Sequence, residues 1–404
     1  MWYHQVEGGI KMNVTISKEK LLSKLDIASK FVASGRTDMP ISKCFLITVK
    51  SDAIYFDASN FESGCKIRLK EGFNVIEEGR IVIEAKKFQK LIKTMSADEV
   101  NFETSRGSLR IRELDKNPNS FNLALIDGPD KFPTMPFPDK DTPKITVDKE
   151  KFLDMIKKVS FAAQDPKLSS SSINSYSKMI HFCGDLIYAT NTHKIGALSN
   201  PEFTVEGLHL PKDSVTYFRD LSNEFDMYLE ENMFYVQDGD LFFIVKNEII
   251  KAPTEKVRQF LQKPVNIAVS YTLSEDELKY IVNTLKQFKI LNESVIVYIT
   301  EDTMWLGGVN YEVDVMGSFD NSVKGIKITP DEFNEEVKVT FNIQNLTQIL
   351  QSVTEPEIVF RGSYDKADSF IRIFEDNYQG ILQRLVANHE ELFVDKIKED
   401  YIGN

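Results

Sequence analysis

Lys86, Lys90 and Lys93 recur at i, i+4 and i+7, while Phe88, Leu91, Ile92 and Met95 fall at i, i+3, i+4 and i+7 between them. That interleaving puts amines along one side of a helix and apolar side chains along the other. Ala85 to Met95 carries four lysines and no acid. Amines in a row, with no nucleophile beside them, suit charge neutralisation of a phosphate polymer better than covalent chemistry. Taken alone, such a stripe is the solvated face of an amphipathic helix. The polymer reading needs the helix to stand in a larger arrangement of basic helices.

Catalytic patterns are poorly represented. The chain has no Gly-x-x-x-x-Gly-Lys-Ser/Thr phosphate loop, no Gly-x-Ser-x-Gly elbow and no His-Glu-x-x-His helix. His193 has no second histidine near it in sequence to share a metal or a proton relay. The acid pairs Asp238/Asp240 and Glu355/Glu357 read as turn and edge residues rather than a nuclease centre. Cys44, Cys65 and Cys183 are far apart in sequence and lie in apolar surroundings, the usage of a reducing compartment. The expectation is a protein that is not an enzyme, with no metal and no cofactor.

The elements that position the stripe come in a repeat. A short alternating strand runs into an amphipathic helix at Val14-Thr15-Ile16-Ser17-Lys18, at Ile145-Thr146-Val147-Asp148-Lys149, and more loosely at Ile267-Ala268-Val269-Ser270; the offsets are 131 and 122 positions. A second signature begins at Ile83, Leu210 and Phe341, offset by 127 and 131 positions. Its helices are expected over Ala85 to Met95, Lys212 to Leu221 and Ile343 to Val353. Those of the first signature are expected over Lys18 to Val32, Asp148 to Val159 and roughly 274–289. The chain therefore reads as three tandem domains, each made of two related halves. Pro-rich punctuation at Phe132-Pro133-Thr134-Met135-Pro136 and at Gln262-Lys263-Pro264 separates them. The expected division is an extension 1–11, domain I 12–140, domain II 144–262, domain III 265–387 and a tail 388–404. Asp238-Gly239-Asp240 is expected to be a hairpin turn. Two helices laid across antiparallel sheets close a core in each domain, an α+β plan in which sheet edges pair across domain junctions.

Bulk composition agrees with several globular domains. The chain has 404 residues, is 42% hydrophobic and 27% charged, and carries a net charge of −12. Its apolar runs are strand-length, so no membrane span is expected, and Met1 to Lys11 lacks the pattern of a secretory leader. The location expected is cytoplasmic. The negative total conceals an asymmetry: Lys18 to Val32 and Asp148 to Val159 also lean basic, while the helices further on are near neutral.

Read in order, several segments resemble the bacterial sliding clamp, the β subunit of DNA polymerase III. Gly35-Arg36-Thr37-Asp38-Met39-Pro40-Ile41 is similar to that family's Arg-x-x-Leu-Pro-Ile loop, and Ala58-Ser59-Asn60-Phe61-Glu62 to its Thr-Asp-Leu-Glu strand end. Ile83-Glu84-Ala85-Lys86-Lys87-Phe88 resembles Val-Pro-Ala-Lys-x-Phe, and Ala189-Thr190-Asn191-Thr192-His193-Lys194-Ile195 resembles Ala-Thr-Asp-Gly-His-Arg-Leu. Phe341-Asn342-Ile343 matches Phe-Asn-Val. The resemblance runs from Met12 to about Ala387 and implies the DNA-clamp fold, with two copies joined head to tail as a homodimeric ring around double-stranded DNA.

It also implies roles. Lys20, Lys24, Lys86, Lys90, Lys93, Lys151 and Lys158 would face the duplex, with Arg36, Gln164 and Lys167 at positions that lie close to DNA in the family. Thr190, Thr192, His193, Lys194, Ile195, Pro253, Val257, Asn342, Asn345, Ile381 and Leu382 would line a hydrophobic cleft. There a replicative DNA polymerase and the clamp loader ATPase insert a short peptide ending in Leu-Phe. Thr192 replaces the family's Gly and Lys194 its Arg, so the peptide preference is expected to differ. The tail segment His389-Glu390-Glu391-Leu392-Phe393 loosely resembles such a peptide, although a solvated acidic tail is the plainer expectation. The reading is a DNA sliding clamp, a replication processivity factor. The alternatives are a scaffold of the same fold that does not encircle DNA and, more weakly, a metal-dependent nuclease.

Overall fold

The computed structural model describes residues 11–35, 37–105, 107–116, 118–126, 128–164, 175–191, 193–199, 205–248, 250–309, 323–361, 370–385 and 390–402. Across them one supersecondary pattern occurs six times: a strand, a helix, then three antiparallel strands. The first copy is Asn13–Ser17, helix α1 Lys18–Ala28, then Cys44–Lys50, Ala53–Ser59 and Ser63–Leu69. The second is Gly79–Glu84, α2 Ala85–Thr94, then Glu99–Ser105, Ser108–Glu113 and Ser120–Ala124. Later copies carry α3 Lys149–Ser160, a 3₁₀ helix Lys212–Asp220, α5 Glu275–Phe288 and α6 Ile343–Leu350, with α4 Thr254–Gln262 standing between the fourth and fifth.

The chain forms two compact units, 1–152 with 214–249, and 153–213 with 250–404. The first unit holds a five-stranded sheet ordered 73–77, 13–17, 99–105, 108–113, 120–124. It also holds an eight-stranded sheet ordered 144–148, 224–229, 233–238, 241–246, 63–69, 53–59, 44–50, 79–84. The second holds a nine-stranded sheet ordered 205–211, 179–184, 186–190, 194–199, 378–383, 370–375, 357–361, 267–272, 332–333, and a four-stranded sheet ordered 323–327, 303–309, 294–299, 337–342. Each large sheet has a seam where distant parts of the sequence meet. Leu241–Lys246 pairs antiparallel with Ser63–Leu69, and Lys194–Ser199 with Tyr378–Gln383. Edge pairing between distant segments is thus realised twice.

Local chemistry explains the helices. In α2 the residues Ala85, Phe88 and Ile92 are buried and the lysines are exposed, as the i, i+3, i+4 spacing requires. Ser274 and Glu277 form a reciprocal capping box at the start of α5, whose first turn also carries Glu275 and Asp276; carboxylates there favour the helix dipole. The Asn342 side chain accepts from the Asn345 amide and caps α6. The segment expected as a helix at Lys212 to Leu221 is 3₁₀ throughout. Val215, Thr216, Tyr217 and Phe218 put four β-branched or aromatic residues in a row, a poor sequence for α-helical turns. Gly239, at φ 54°, makes the turn between Met233–Asp238 and Leu241–Lys246.

The tail departs from expectation. Helix α7, Glu390–Ile397, buries Phe393, Val394 and Ile397 against Ile296 and Tyr298 of the four-stranded sheet. A β-carbon on Gly307 would run into the Phe393 ring. Glu390 accepts from Thr340 at 2.8 Å, and Glu391 pairs with Lys338. It is therefore neither a solvated tail nor, in this structure, an occupant of the expected cleft. Its apolar side chains at i, i+1 and i+4 find a sheet face that is far away in sequence.

Candidate nucleic-acid face and peptide cleft

The basic stripe is solvent-facing. Lys86 and Lys90 are exposed and make no ion pair among the described residues. Lys93 reaches Asp26 of α1 at 2.7 Å, and Gln89 donates to the same carboxylate at 2.6 Å. Asp26 therefore ties α1 to α2 and takes one amine out of the free row. Lys24 is half-buried without an ion pair among the described residues, whereas Lys20 pairs with Glu71 at 2.6 Å. Exposed pairs of this kind are weak, of the order of 0–1 kcal/mol, and open readily to a competing phosphate.

In the second half of α3 the balance differs. Lys158 lies between Asp154 at 3.7 Å and Glu375 at 3.6 Å with its side chain only 22% exposed. Lys151 is exposed at the helix start, where its amide is capped by Asp148 at 2.9 Å. Gln164 donates its amide to the Ser177 carbonyl at 2.7 Å and so anchors a turn. Arg36, Lys167 and Thr192 lie outside the described residues.

The second seam gathers most of the expected cleft residues. Lys194 and Ile195 sit directly opposite Leu382 and Ile381 in register. Thr190 donates its hydroxyl to the Lys194 carbonyl at 3.0 Å, closing the turn from 190 to 194. His193 is exposed at the rim, its Nδ1 3.2 Å from Gln383 Oε1. Ile381, Leu382 and Val257 are buried, and Ile195 is half-buried. Val257 packs with Cys183, Leu186, Tyr188 and Ala197 as α4 crosses the sheet, and the Pro253 carbonyl accepts the Val257 amide at 3.0 Å. Asn342 serves as the cap of α6 and Asn345 faces Lys194.

Lys194 is the chemical peculiarity of this region. Its amine is buried, donating to Asn345 Oδ1 at 2.9 Å and Gln348 Oε1 at 3.4 Å, and lies 5.8 Å from the Phe161 ring centre. Among the described residues no carboxylate neutralises it, and burial, with the nearby Lys212 charge, lowers its pKa to about 8. Sequence reading missed Gln348 and Gln383. The i, i+3 relation between Asn345 and Gln348 on α6 was the available signal for the first. A hollow of about 330 Å³ opens beside the seam, with Arg258, Leu261, Phe374 and Tyr378 among its walls.

Of the two acid pairs, Asp238/Asp240 is engaged structurally. Asp238 accepts the Ser222 amide at 2.7 Å, and Asp240 pairs with Lys70 at 2.7 Å. No helix of the described residues is long and apolar enough to cross a membrane.

Residues 12–136 match the family model described as DNA polymerase III beta subunit, N-terminal domain. The beta sliding clamp of Mycoplasma pneumoniae is 28% identical over 116 residues, covering 29% of this chain and 30% of that protein. That of Mycoplasma genitalium is 22% identical over 226 residues, covering 55% and 54%. The chain thus matches at most about half the length of these relatives. Among solved structures, the DNA polymerase sliding clamp of Bacillus subtilis aligns with a TM-score of 0.76 at 17% identity, covering 93% of this chain and all of that one. The Helicobacter pylori beta clamp bound to a DNA ligase peptide aligns with a TM-score of 0.73 at 17% identity and the same coverage. At such identities the structural likeness establishes the fold.

Proposed function

We propose that this chain, a divergent member of the bacterial β sliding clamp family, closes with a second copy into a ring around duplex DNA and tethers partner proteins to it. The observation that carries the reading is the sixfold repeat with its two seams. At each seam the last strand of an odd-numbered copy pairs with the last strand of an even-numbered one: 63–69 with 241–246, and 194–199 with 378–383. Two last strands are left at sheet edges, Ser120–Ala124 and Val323–Lys327. By the same rule these two are complementary, and one chain's edge pairs with the other chain's. A head-to-tail contact of this kind closes a ring when the rotation per repeat divides a full turn.

Side chains support the pairing. Phe121 on the first edge is 38% exposed. Beside the second edge lies a hollow of about 350 Å³ walled by Tyr280, Ile281, Gly325 and Ile326, large enough for an aromatic ring. Enclosure holds the duplex topologically, so individual contacts stay weak and sequence-blind. Lys24, Lys86 and Lys90, free of ion pairs among the described residues, meet phosphates, with Lys20, Lys93 and Lys151 joining them. The same role is proposed for Arg36, Gln164 and Lys167, and for Lys158 once it gives up its carboxylate partners.

The cleft at the second seam takes the peptides of a replicative polymerase and of the clamp loader. The walls are Ile195, Val257, Ile381 and Leu382, and the polar rim is His193, Gln383 and Asn345. The protein acts in the cytoplasm as a non-catalytic processivity factor, and a partner ATPase opens the ring. The test is retention on nicked circular DNA after loading. The chain is expected to stay on the circle and to leave once the DNA is linearised. Lys86→Glu combined with Lys90→Glu is expected to reduce retention about tenfold or more without lowering the melting temperature. Equal loss from circular and linear DNA would overturn encirclement, and normal retention by the double variant would remove the stripe from the DNA face.

A further inference from the structure

The first seam carries a hollow of its own, of about 530 Å³, on the sheet face crossed by the segment from Phe132 to Phe137. Strand register accounts for its floor. Reading across the sheet, Val82, Leu46, Asp57, Lys66 and Phe242 are successive partners in one row. The neighbouring row runs Arg80, Thr48, Tyr55, Arg68. Phe132 caps the apolar end over Cys44, Leu46 and Val82, and Met135 covers Tyr235, Phe242 and Ile244. Between those two anchors the crossing segment arches over the charged middle of the row and leaves it open.

Two features of that middle point to a ligand. Asp57 is only 5% exposed, and the one cation paired with it among the described residues, Lys66, stays at 3.6 Å. A carboxylate so nearly buried, held by one long ion pair, has room on its lone pairs for further N–H donors. Around it Lys50, Lys66 and Arg80 form a basic rim, and Lys66 and Arg68 lie on the Tyr55 ring at 5.6 and 5.8 Å. Their acidic partners at the rim are exposed: Asp52 on Arg68 at 2.9 Å and Asp130 on Arg80 at 3.1 Å, the latter 92% exposed. Phe137 lies on Phe242 at 4.6 Å between ring centres and is still 63% exposed, an apolar surface awaiting cover.

We propose that this hollow is a second peptide-docking site, selective for a short acidic segment with an aromatic or branched aliphatic anchor. Backbone N–H groups of such a segment would satisfy Asp57, its carboxylates would displace Asp130 and Asp52 from their arginines, and its anchor would cover Phe137 and Phe242. Among ligand classes a peptide is favoured by the repeat. The crossing segment over the first seam stands where α4 stands over the second, and the second seam is the proposed peptide cleft. The inference rests on that reading for its choice of occupant, and on the row of charges for its specificity.

A fluorescein-labelled peptide, Asp-Glu-Phe-Asp-Glu-Leu, titrated with the full chain tests it by anisotropy. Saturable binding is expected below about 1 mM, with no binding of the counterpart in which every acid is lysine. Lys50→Glu with Arg80→Glu, and separately Phe137→Ala, should each weaken binding about tenfold or more. All three positions are exposed, and an unchanged melting temperature confirms folding. His193→Ala with Gln383→Ala, at the other cleft, should leave this binding unchanged. Loss only in the His193/Gln383 variant, equal binding of both peptides, or no binding at all would each overturn the proposal. Retention of the Lys50→Glu/Arg80→Glu variant on nicked circles should match the unaltered chain, so failure here and failure of the ring reading are read separately.

Discussion

At the middle of the first seam Cys65 faces Phe243; at the middle of the second, Gly196 faces Gly380. Both seams join strands of the same rank in the repeat and are antiparallel, yet one is filled by side chains while the other is emptied of them. The vacated space is used. A β-carbon at Gly196 would meet the Val159 backbone and the Phe161 ring, and one at Gly380 would meet Ile349 and the Tyr378 hydroxyl. The buried ionisable groups differ too. The sheet of the first seam buries the acid Asp57, whereas that of the second buries Lys194, His181 and His209. One backbone plan, repeated, therefore carries opposite electrostatics, and the two sheets should respond to pH in opposite senses.

The largest expected effect is that opposition. Burial raises the Asp57 pKa to about 6, so between its ordinary value and about pH 6 the unfolded chain gives up the proton first. Its contribution therefore falls as pH rises through that range, by roughly 3 kcal/mol in all. His181 runs the other way. Its Nε2–H donates to the Tyr176 carbonyl at 2.9 Å, leaving Nδ1 to accept from His209 Nδ1–H at 3.0 Å, with the Tyr188 ring alongside. Burial, and then the His209 charge, lower its pKa to about 4. Stability from this pair is present above the ordinary histidine range and is lost as pH falls toward 4, again by roughly 3 kcal/mol. Urea unfolding across about pH 4 to 7 should therefore show Asp57→Asn steepening the gain with pH and His181→Gln flattening it. Identical pH slopes for both variants and the unaltered chain would end the comparison.

Lys194 sharpens it at the alkaline side. With a folded pKa near 8, the unfolded chain holds the extra proton between about pH 8 and pH 10. Stability should rise across that interval by up to about 3 kcal/mol, and the rise should be missing in Lys194→Met. In the sheet of the first seam burial pushes the alkaline groups Cys44, Cys65 and Tyr235 upward, which opposes such a rise, so a similar rise in Lys194→Met would place the alkaline response elsewhere.

How much of this could be read beforehand follows from what is local. The apolar spacing of α2 and the turn at Gly239 depend on neighbours in sequence, and both are found as expected. The repeat itself was legible because strand and helix recur together at nearly constant offset. What escaped is non-local. Nothing near Lys93 in sequence announces Asp26, and nothing near Phe393 announces Ile296 and Tyr298. The short run at 212–220 kept the helical spacing of its apolar residues but not the propensity, and folded as 3₁₀. In the cleft, single residues followed from the family resemblance, while Gln348 and Gln383, on the same helix and strand as Asn345 and Leu382, are engaged across the seam by Lys194 and His193 and escaped it.

The smallest effect tests the packing half of the comparison. Gly196 has no positive φ, so alanine fits its backbone and the cost is purely one of space. The nearest obstacles are the Val159 Cα at 3.1 Å and carbonyl at 3.2 Å, backbone held inside α3, and the Phe161 ring at 2.8 Å. A ring can swing away, but a helix backbone cannot shift without disturbing the buried Val159 side chain. Gly196→Ala should therefore destabilise by about 1–2 kcal/mol, overpacking offset in part by the lower entropy of the unfolded chain. At the first seam Cys65→Ala changes volume the other way, leaving a small void costing about 1 kcal/mol. If Gly196→Ala instead raised the urea midpoint, the helix would not be seated on the seam, and glycine there would reflect something other than the close approach of α3.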